Sequence, residues 1–201
     1  MRQMCRVVIA IALVTAALRG PALGGHNYLA KLAVHVKAHG TSCADGLPTF
    51  TTCSQVNTTY FPLGDVDIIP VFFDLNEYTE VGLALMWPAE WGSMAWTRCK
   101  GDIQTGTLAH PHDFARIGWS TCQTTWSVAL GYGWLQATSP GLVGPSNLIY
   151  PRVADCQPTP EEDFACKVLA GVGGYIGDDA CGTDSDIDRS TWGAIKSIFS
   201  E

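Results

Sequence analysis

What this sequence lacks narrows its function more than what it holds. It has no Gly-x-Ser-x-Gly stretch, which removes the strained nucleophile turn of the hydrolase type. It has no phosphate-cradling glycine motif; GVGGYIG at 171–177 has neither the preceding strand nor the following helix that such a loop needs. No Cys-x-x-Cys pair occurs, so neither a zinc ribbon nor a thioredoxin-type redox site is supported. Basic residues are scarce, 12 Lys and Arg against 19 Asp and Glu, which argues against nucleic acid and against anionic membrane surfaces as partners. The longest apolar run, Val7–Leu18, covers twelve residues, where a membrane-crossing helix needs roughly 20. Long helical patterns are absent as well.

That short run has the features of a cleavable secretory leader. Arg2 and Arg6 precede it, and Ala22-Leu23-Gly24 offers a small-x-small cleavage site. Residues 1–24 are therefore expected to be a signal peptide, with the mature chain starting at Gly25 or His26 and spanning no membrane. Losing Arg2, Arg6 and Arg19 takes the formal charge from −7 to −10, an acidic and soluble surface. Cys5 leaves with the leader. Cys43, Cys53, Cys99, Cys122, Cys156, Cys166 and Cys181 remain and are expected to oxidise in a secreted, extracellular or cell-surface protein, the periplasm being the other such compartment. Local bridges are the simplest expectation: Cys43–Cys53, Cys99–Cys122, and Cys156 with Cys166 or Cys181. Seven cysteines leave one over, and connectivity is not encoded in spacing.

Alternation of period two dominates the mature chain. In KLAVHVKAH, Leu32, Val34 and Val36 share one face, and Lys31, His35, Lys37 and His39 share the other. Further strands are expected over 66–75, 81–87, 93–99, 103–109, 115–122, 126–137 and 148–154, separated by Gly, Pro and Asp turns. Pro70 suggests an edge strand or a bulge. The fold class expected is all-β: an antiparallel β-sandwich of immunoglobulin, cohesin or jelly-roll type, with disulfide-stapled loops. The sandwich domain is assigned to 25–155. A Cys-, Asp- and Gly-rich extension follows over 156–189, with one short helix expected over 161–170. A C-terminal tail over 190–201 has a helical pattern, Trp192, Ile195 and Phe199 lying on one face.

The stretches VDIIPVFFDLNEYTEVGLALMWP, GWLQATSPG, GGYIGDDAC and STWGAIKSIF together resemble a group of secreted, cysteine-containing proteins of environmental bacteria that end in a Thr-Trp-Gly-x-Ile-Lys tail. In pattern, VGLALMWP and the small-residue strand ending in Ser-Pro-Gly also resemble a cohesin-type β-sandwich. The resemblance implies architecture and a location outside the cytosol. It implies no activity. For the tail it implies a sorting or surface-attachment role.

Three groups of residues carry candidate chemistry. His110, His112 and Asp113 are ligand types at the spacing of a metal-dependent hydrolase, but Pro111 breaks the strand such ligands would share, so a solvated turn is the simpler reading. Asp184, Asp186 and Asp188 alternate as hard oxygen ligands for Ca²⁺ would, although position six from Asp184 is Arg189 and position twelve is Ile195, which excludes an EF-hand loop. Six tryptophans fall between Trp87 and Trp134. Most are expected in the core. Trp91, in a connection, and Trp134, after two glycines, are the candidates for an exposed ligand platform. The function expected is a non-catalytic module for extracellular adhesion, surface assembly or matrix binding, its partner an extracellular protein or a polysaccharide. A carbohydrate-binding module using Trp91 and Trp134 is the alternative, and a metal-dependent hydrolase the second alternative.

Overall fold

Alternating apolar residues make strands because successive side chains point to opposite faces of a pleated backbone. The computed structural model describes residue 27 and residues 29–157, 162–175 and 177. The apolar parity of the chain sorts these residues into two sheets packed face to face.

Sheet I is six-stranded. It contains β1 (Lys31–Ala38), β3 (Gly64–Phe73), β5 (Ala95–Arg98), β8 (Val128–Ala129), β9 (Gly131–Ala137) and β13 (Cys166–Lys167). Their order is β13-β1-β3-β9-β5, with β8 also on β3. Sheet II is eight-stranded. It contains β2 (Thr59–Tyr60), β4 (Tyr78–Met86), β6 (Ile103–Gly106), β7 (Phe114–Gln123), β10 (Gly141–Pro145), β11 (Arg152–Asp155), β12 (Glu162–Phe164) and β14 (Ala170–Val172). Strand β4 is its centre, with β7 on one side and β11 and β10 in succession on the other. The described pairings are antiparallel except β1 with β13 and β14 with β2.

The core lies between the sheets. Sheet I supplies Leu32, Val34, Val36, Val66, Ile68, Phe72 and Leu135, and sheet II supplies Val81, Leu83, Leu85, Ala115, Ile117, Val143 and Val153, all buried. Each of the Val, Leu, Ile and Phe side chains among them contributes on the order of 1.5–3 kcal/mol by leaving water. Gly133 is needed where β9 passes β5, since a Cβ there would run into the Met94 sulfur. A second, smaller cluster lies on the other side of sheet I, where Phe50 and Val56 cover Ala33, Ile69, Val71 and Phe73.

Several expectations are corrected. The local bridges Cys43–Cys53, Cys99–Cys122 and Cys156 with Cys166 or Cys181 do not form. Cys43 instead pairs with Cys99 across 56 residues, and Cys122 with Cys156 across 34. Cys53 is also disulfide-bonded. The cause is topological: the 43–57 loop folds back over sheet I and brings Cys43 to the end of β5. Residues 161–170 do not form a helix; β12, β13 and the start of β14 add to both sheets. Of the two readings of Pro70 only the edge fails, because β3 has β1 on one side and β8 and β9 on the other; the bulge holds, since residues 130–132 lie opposite Ile69 and Pro70 between the Ile68–Gly133 and Val71–Ala129 pairs. The Pro70 carbonyl accepts from Leu130 N–H, at the break between β8 and β9 where β3 is asked for no donor. The leader, Asp184, Asp186, Asp188, Cys181 and the helix expected in the tail lie outside the described residues.

Candidate functional site

The outer face of sheet I is the surface on which the strand parity leaves most open chemistry. Lys31, Ala33, His35 and Lys37 project there from β1, opposite Phe73, Val71, Ile69 and Asp67 of β3. Strand β9 adds Trp134 beside Asp67 and Gln136 beside Asp65. Strand β5 closes the row with Ala95 beside Trp134 and Thr97 beside Tyr132. The loop over 43–57 covers the apolar end of this face, and the polar end is left open.

At the open end sits a buried carboxylate. The Asp67 side chain is 0% exposed, while His39 above it is 47% exposed. One carboxylate oxygen lies 2.7 Å from His39 Nδ1. The other accepts the backbone N–H groups of Gly40 at 2.9 Å and Thr41 at 2.6 Å. Burial pushes the Asp67 carboxyl up, but the bonds from Thr41 and His39 more than reverse that, and the group lies below the usual carboxylate range. Asp67 is thus a fixed negative charge that orients His39. The imidazole in turn leans on the Trp134 ring, with centroids 5.6 Å apart and the planes tilted by 44°. Trp134 remains 39% exposed. A large aromatic surface, held by a strand ladder on one side and an oriented imidazole on another, loses little freedom when something docks on it.

The other sequence candidates fall elsewhere. Trp91 is not an exposed platform: it is 4% exposed and belongs to the main core. The short turn Ala89–Trp91 folds its indole inward, and Nε1–H donates to the backbone oxygen of Ser139 at 3.1 Å and to its Oγ at 3.2 Å. Trp87 is buried, as its parity with Leu83 and Leu85 required. Trp126, 43% exposed, packs edge-on against Phe73 and was not singled out from sequence.

The His110, Pro111, His112, Asp113 set is a turn and makes no metal centre. Asp113 accepts the backbone N–H of His110 at 2.8 Å, and His112 takes a left-handed φ of 69°, so the three side chains do not converge. Among the described residues no group of three His, Cys, Asp or Glu side chains is placed to hold a metal ion. His112 Nδ1 does lie 2.7 Å from Ser146 Oγ, but Ser146 is fully buried and its oxygen already accepts the N–H groups of Leu148 and Ile149. With both lone pairs engaged, that hydroxyl is a loop fastener, not a nucleophile. Asn57 uses its side-chain amide to donate to Val36 O at 2.8 Å, which makes it structural.

The sequence signals for Asp67 and His39 were present but easily read as solvent-facing. An Asp inside an apolar strand, at the parity of Ile69 and Val71, is one that must find partners. No helix among the described residues is long and apolar enough to cross a membrane.

No family model matches the chain, and no curated protein is similar to it in sequence. Among solved structures, a cohesin module from a Clostridium perfringens family 33 glycoside hydrolase is similar over 59% of this chain and 90% of its own, at 12% identity and a TM-score of 0.45. A type II cohesin domain from the cellulosome of Acetivibrio cellulolyticus is similar over 73% of this chain and 96% of its own, at 9% identity and a TM-score of 0.46. The sixth cohesin of scaffoldin B from the same organism, solved in complex with a Cel5 dockerin, gives 72%, 97%, 11% and 0.42 for the same quantities. The likeness is one of sandwich architecture, and it is to cohesin modules that this all-β, disulfide-bonded chain is similar.

Proposed function

We propose that this protein is a secreted, non-catalytic module for adhesion, surface assembly or matrix binding, and that it takes an extracellular protein partner on the open end of the outer face of sheet I. The observation that carries the reading is Trp134: a tryptophan 39% exposed in the middle of a sheet face, its ring steadied by His39 and, through His39, by the buried Asp67. Tryptophan at the centre of a patch with a polar rim is the composition of a binding hot spot. Lys37, Asp65 and Gln136 supply such a rim, and their mixed charge suits a protein surface better than a phosphate backbone. The long-range disulfides favour an oxidising compartment, and the acidic mature chain favours a soluble one.

A polysaccharide partner is the second reading. It is favoured by Gln136 and Asp65, paired across β9 and β3 beside the indole, since a flat ring with flanking hydrogen-bonding groups also suits a pyranose.

The test is the binding of the oxidised protein to extracellular proteins of the parent organism and to a polysaccharide panel, measured with Trp134→Ala alongside. A loss of tenfold or more in affinity, about 1.4 kcal/mol, is the expected result. Unchanged affinity in the variant removes this face as the binding site.

A further inference from the structure

Gly118 lies inside β7, and nothing in the fold asks for glycine there. Every other described glycine either takes a positive φ or has a neighbour that an added Cβ would strike. At Gly118 the φ is not positive, and the nearest atom to such a Cβ would be Thr79 O at an ordinary 3.8 Å. A glycine inside a strand gives up side-chain packing and costs chain entropy, so one without a local cause points to something that comes close from outside. We propose that Gly118 is the floor of a notch that binds one neutral sugar residue of a polysaccharide, on the outer face of sheet II and separate from the Trp134 surface.

The strand register builds the walls. Glu80 of β4 and Ile103 of β6 stand on the two sides of Gly118. Arg116 and Thr105 form the next outward row, and Trp119 closes the end. The space they enclose is about 240 Å³, below the roughly 300–1,000 Å³ of sites for drug-sized ligands and suited to a single ring. Strand β6 pairs only with β7, so the missing side chain at 118 also takes away the cross-strand cover of Ile103. That isoleucine is left 62% exposed.

The chemistry of the walls selects a neutral, hydroxyl-rich ligand. Arg116 and Arg152 are matched by Glu80 and Glu162. The cluster carries no net charge, so neither a phosphate nor an ammonium group is drawn into it. Paired charges offer a protein rim little, but they still hydrogen-bond hydroxyls. Arg116 engages both glutamates through Nη1 alone, which leaves the Nε–H and Nη2 donors. The second Glu80 oxygen, the Thr105 hydroxyl and the Trp119 indole N–H have no partner among the described residues. Donors and acceptors set around the apolar surfaces of Ile103 and Trp119 match the hydroxyls and the C–H face of a pyranose.

The walls are fixed before a ligand arrives. Asp102 accepts the Ser120 N–H at 2.6 Å and the Ser120 hydroxyl at 2.7 Å, and donates its own N–H to Gly118 O at 2.8 Å. These bonds tie the start of β6 to β7 beside Ile103. Trp119 meets Tyr78 edge-on, with centroids 5.3 Å apart and planes at 89°. A site held in this way gives up little freedom on binding.

The test is affinity electrophoresis and calorimetry of the oxidised full chain against a xylan, a mannan, a β-glucan and an α-glucan, with polygalacturonate as the charged control. Gly118→Val fills the notch, and valine suits a strand. At least one neutral polymer is expected to bind. Gly118→Val should weaken that binding at least tenfold without lowering the thermal midpoint, and Trp134→Ala should leave it unchanged. Ile103→Ala, at a position too exposed to matter for folding, should weaken it as well, and it decides alone if Gly118→Val does not fold. Binding of no neutral polymer, binding of polygalacturonate only, or full affinity in the notch variants would each overturn the proposal. Binding lost in Trp134→Ala and kept in Gly118→Val would move the sugar to sheet I, overturning this site and leaving the reading of Trp134 in place. A protein partner lost in Gly118→Val while no polymer binds would assign the notch to that partner and overturn the sugar.

Discussion

The two outer faces of this sandwich are finished in opposite ways. On sheet II the outward charges are paired among themselves. Arg116 Nη1 lies 2.8 Å from Glu80 and 3.1 Å from Glu162, and Arg152 lies 2.8 Å from the other Glu162 oxygen. The Phe114 ring lies across Gly82, where an added Cβ would come within 2.8 Å of it, and Arg116 stacks over that ring at 5.7 Å. On sheet I the equivalent carboxylate, Asp67, is sunk out of water, its partner His39 is half-exposed, and an indole is left facing solvent. A face whose charges already have partners gains little by docking. A face with a steadied aromatic surface and a polar rim has something to gain. This difference is what the binding role proposed for sheet I rests on.

The largest effect that would break this contrast is loss of the Cys43–Cys99 bridge. Closing a separation of 56 residues is worth about 4 kcal/mol by chain entropy. The Cys43→Ser/Cys99→Ser double variant should lose that much in denaturant unfolding, and partner binding should weaken with it because the bridge fixes the sheet I loop.

Next comes Asp67→Asn. Only one of its oxygens survives to accept the bonds now made by Gly40, Thr41 and His39, and the charge that strengthens them is gone; a loss of about 2–3 kcal/mol is expected. The lowered carboxyl gives the native protein stability that is complete above the free carboxylate value of 3.8 and is lost as pH falls through the folded value. The gap between native and variant should therefore close in strong acid, as followed by urea midpoints between pH 7 and pH 2.

Arg116→Ala should cost less, about 1 kcal/mol or below, because its ion pairs are solvent-exposed. Its thermal midpoint should move by a few degrees, and partner binding should not move at all. Trp134→Ala should show the smallest stability change, under about 1 kcal/mol, and the largest binding change. That pairing of effects separates the faces most sharply.

Much of the sandwich was legible because its signal is local. The parity of Leu32, Val34 and Val36, and of Val81, Leu83 and Leu85, put them in the core where the structure has them. Trp87 followed from the same parity. What failed depended on distant partners. Nothing within EEDFACKVLA says that Glu162–Phe164 will pair with β11 and Cys166–Lys167 with β1, so a helix was expected over 161–170 where strands form. Cys43 and Cys99 are joined by the path of a loop across a sheet, which spacing does not carry. Trp91, in a Pro- and Glu-flanked connection, looked exposed because its partner Ser139 is 48 residues away. Trp134 was legible as an outward residue, its neighbours Leu135 and Gly133 facing in. Asp67 and His39, the pair that steadies it, meet only through the β1–β3 register.

The most direct test of the central claim is hydrogen exchange of the protein with and without its bound extracellular partner, run in parallel on the native chain, Trp134→Ala and Arg116→Ala. The account predicts partner-dependent protection over 37–41 and 131–137 in the native chain and in Arg116→Ala, and its loss in Trp134→Ala. Protection centred on β4, β7 and β12, or binding that fails in Arg116→Ala and survives in Trp134→Ala, would place the site on the opposite sheet and contradict it.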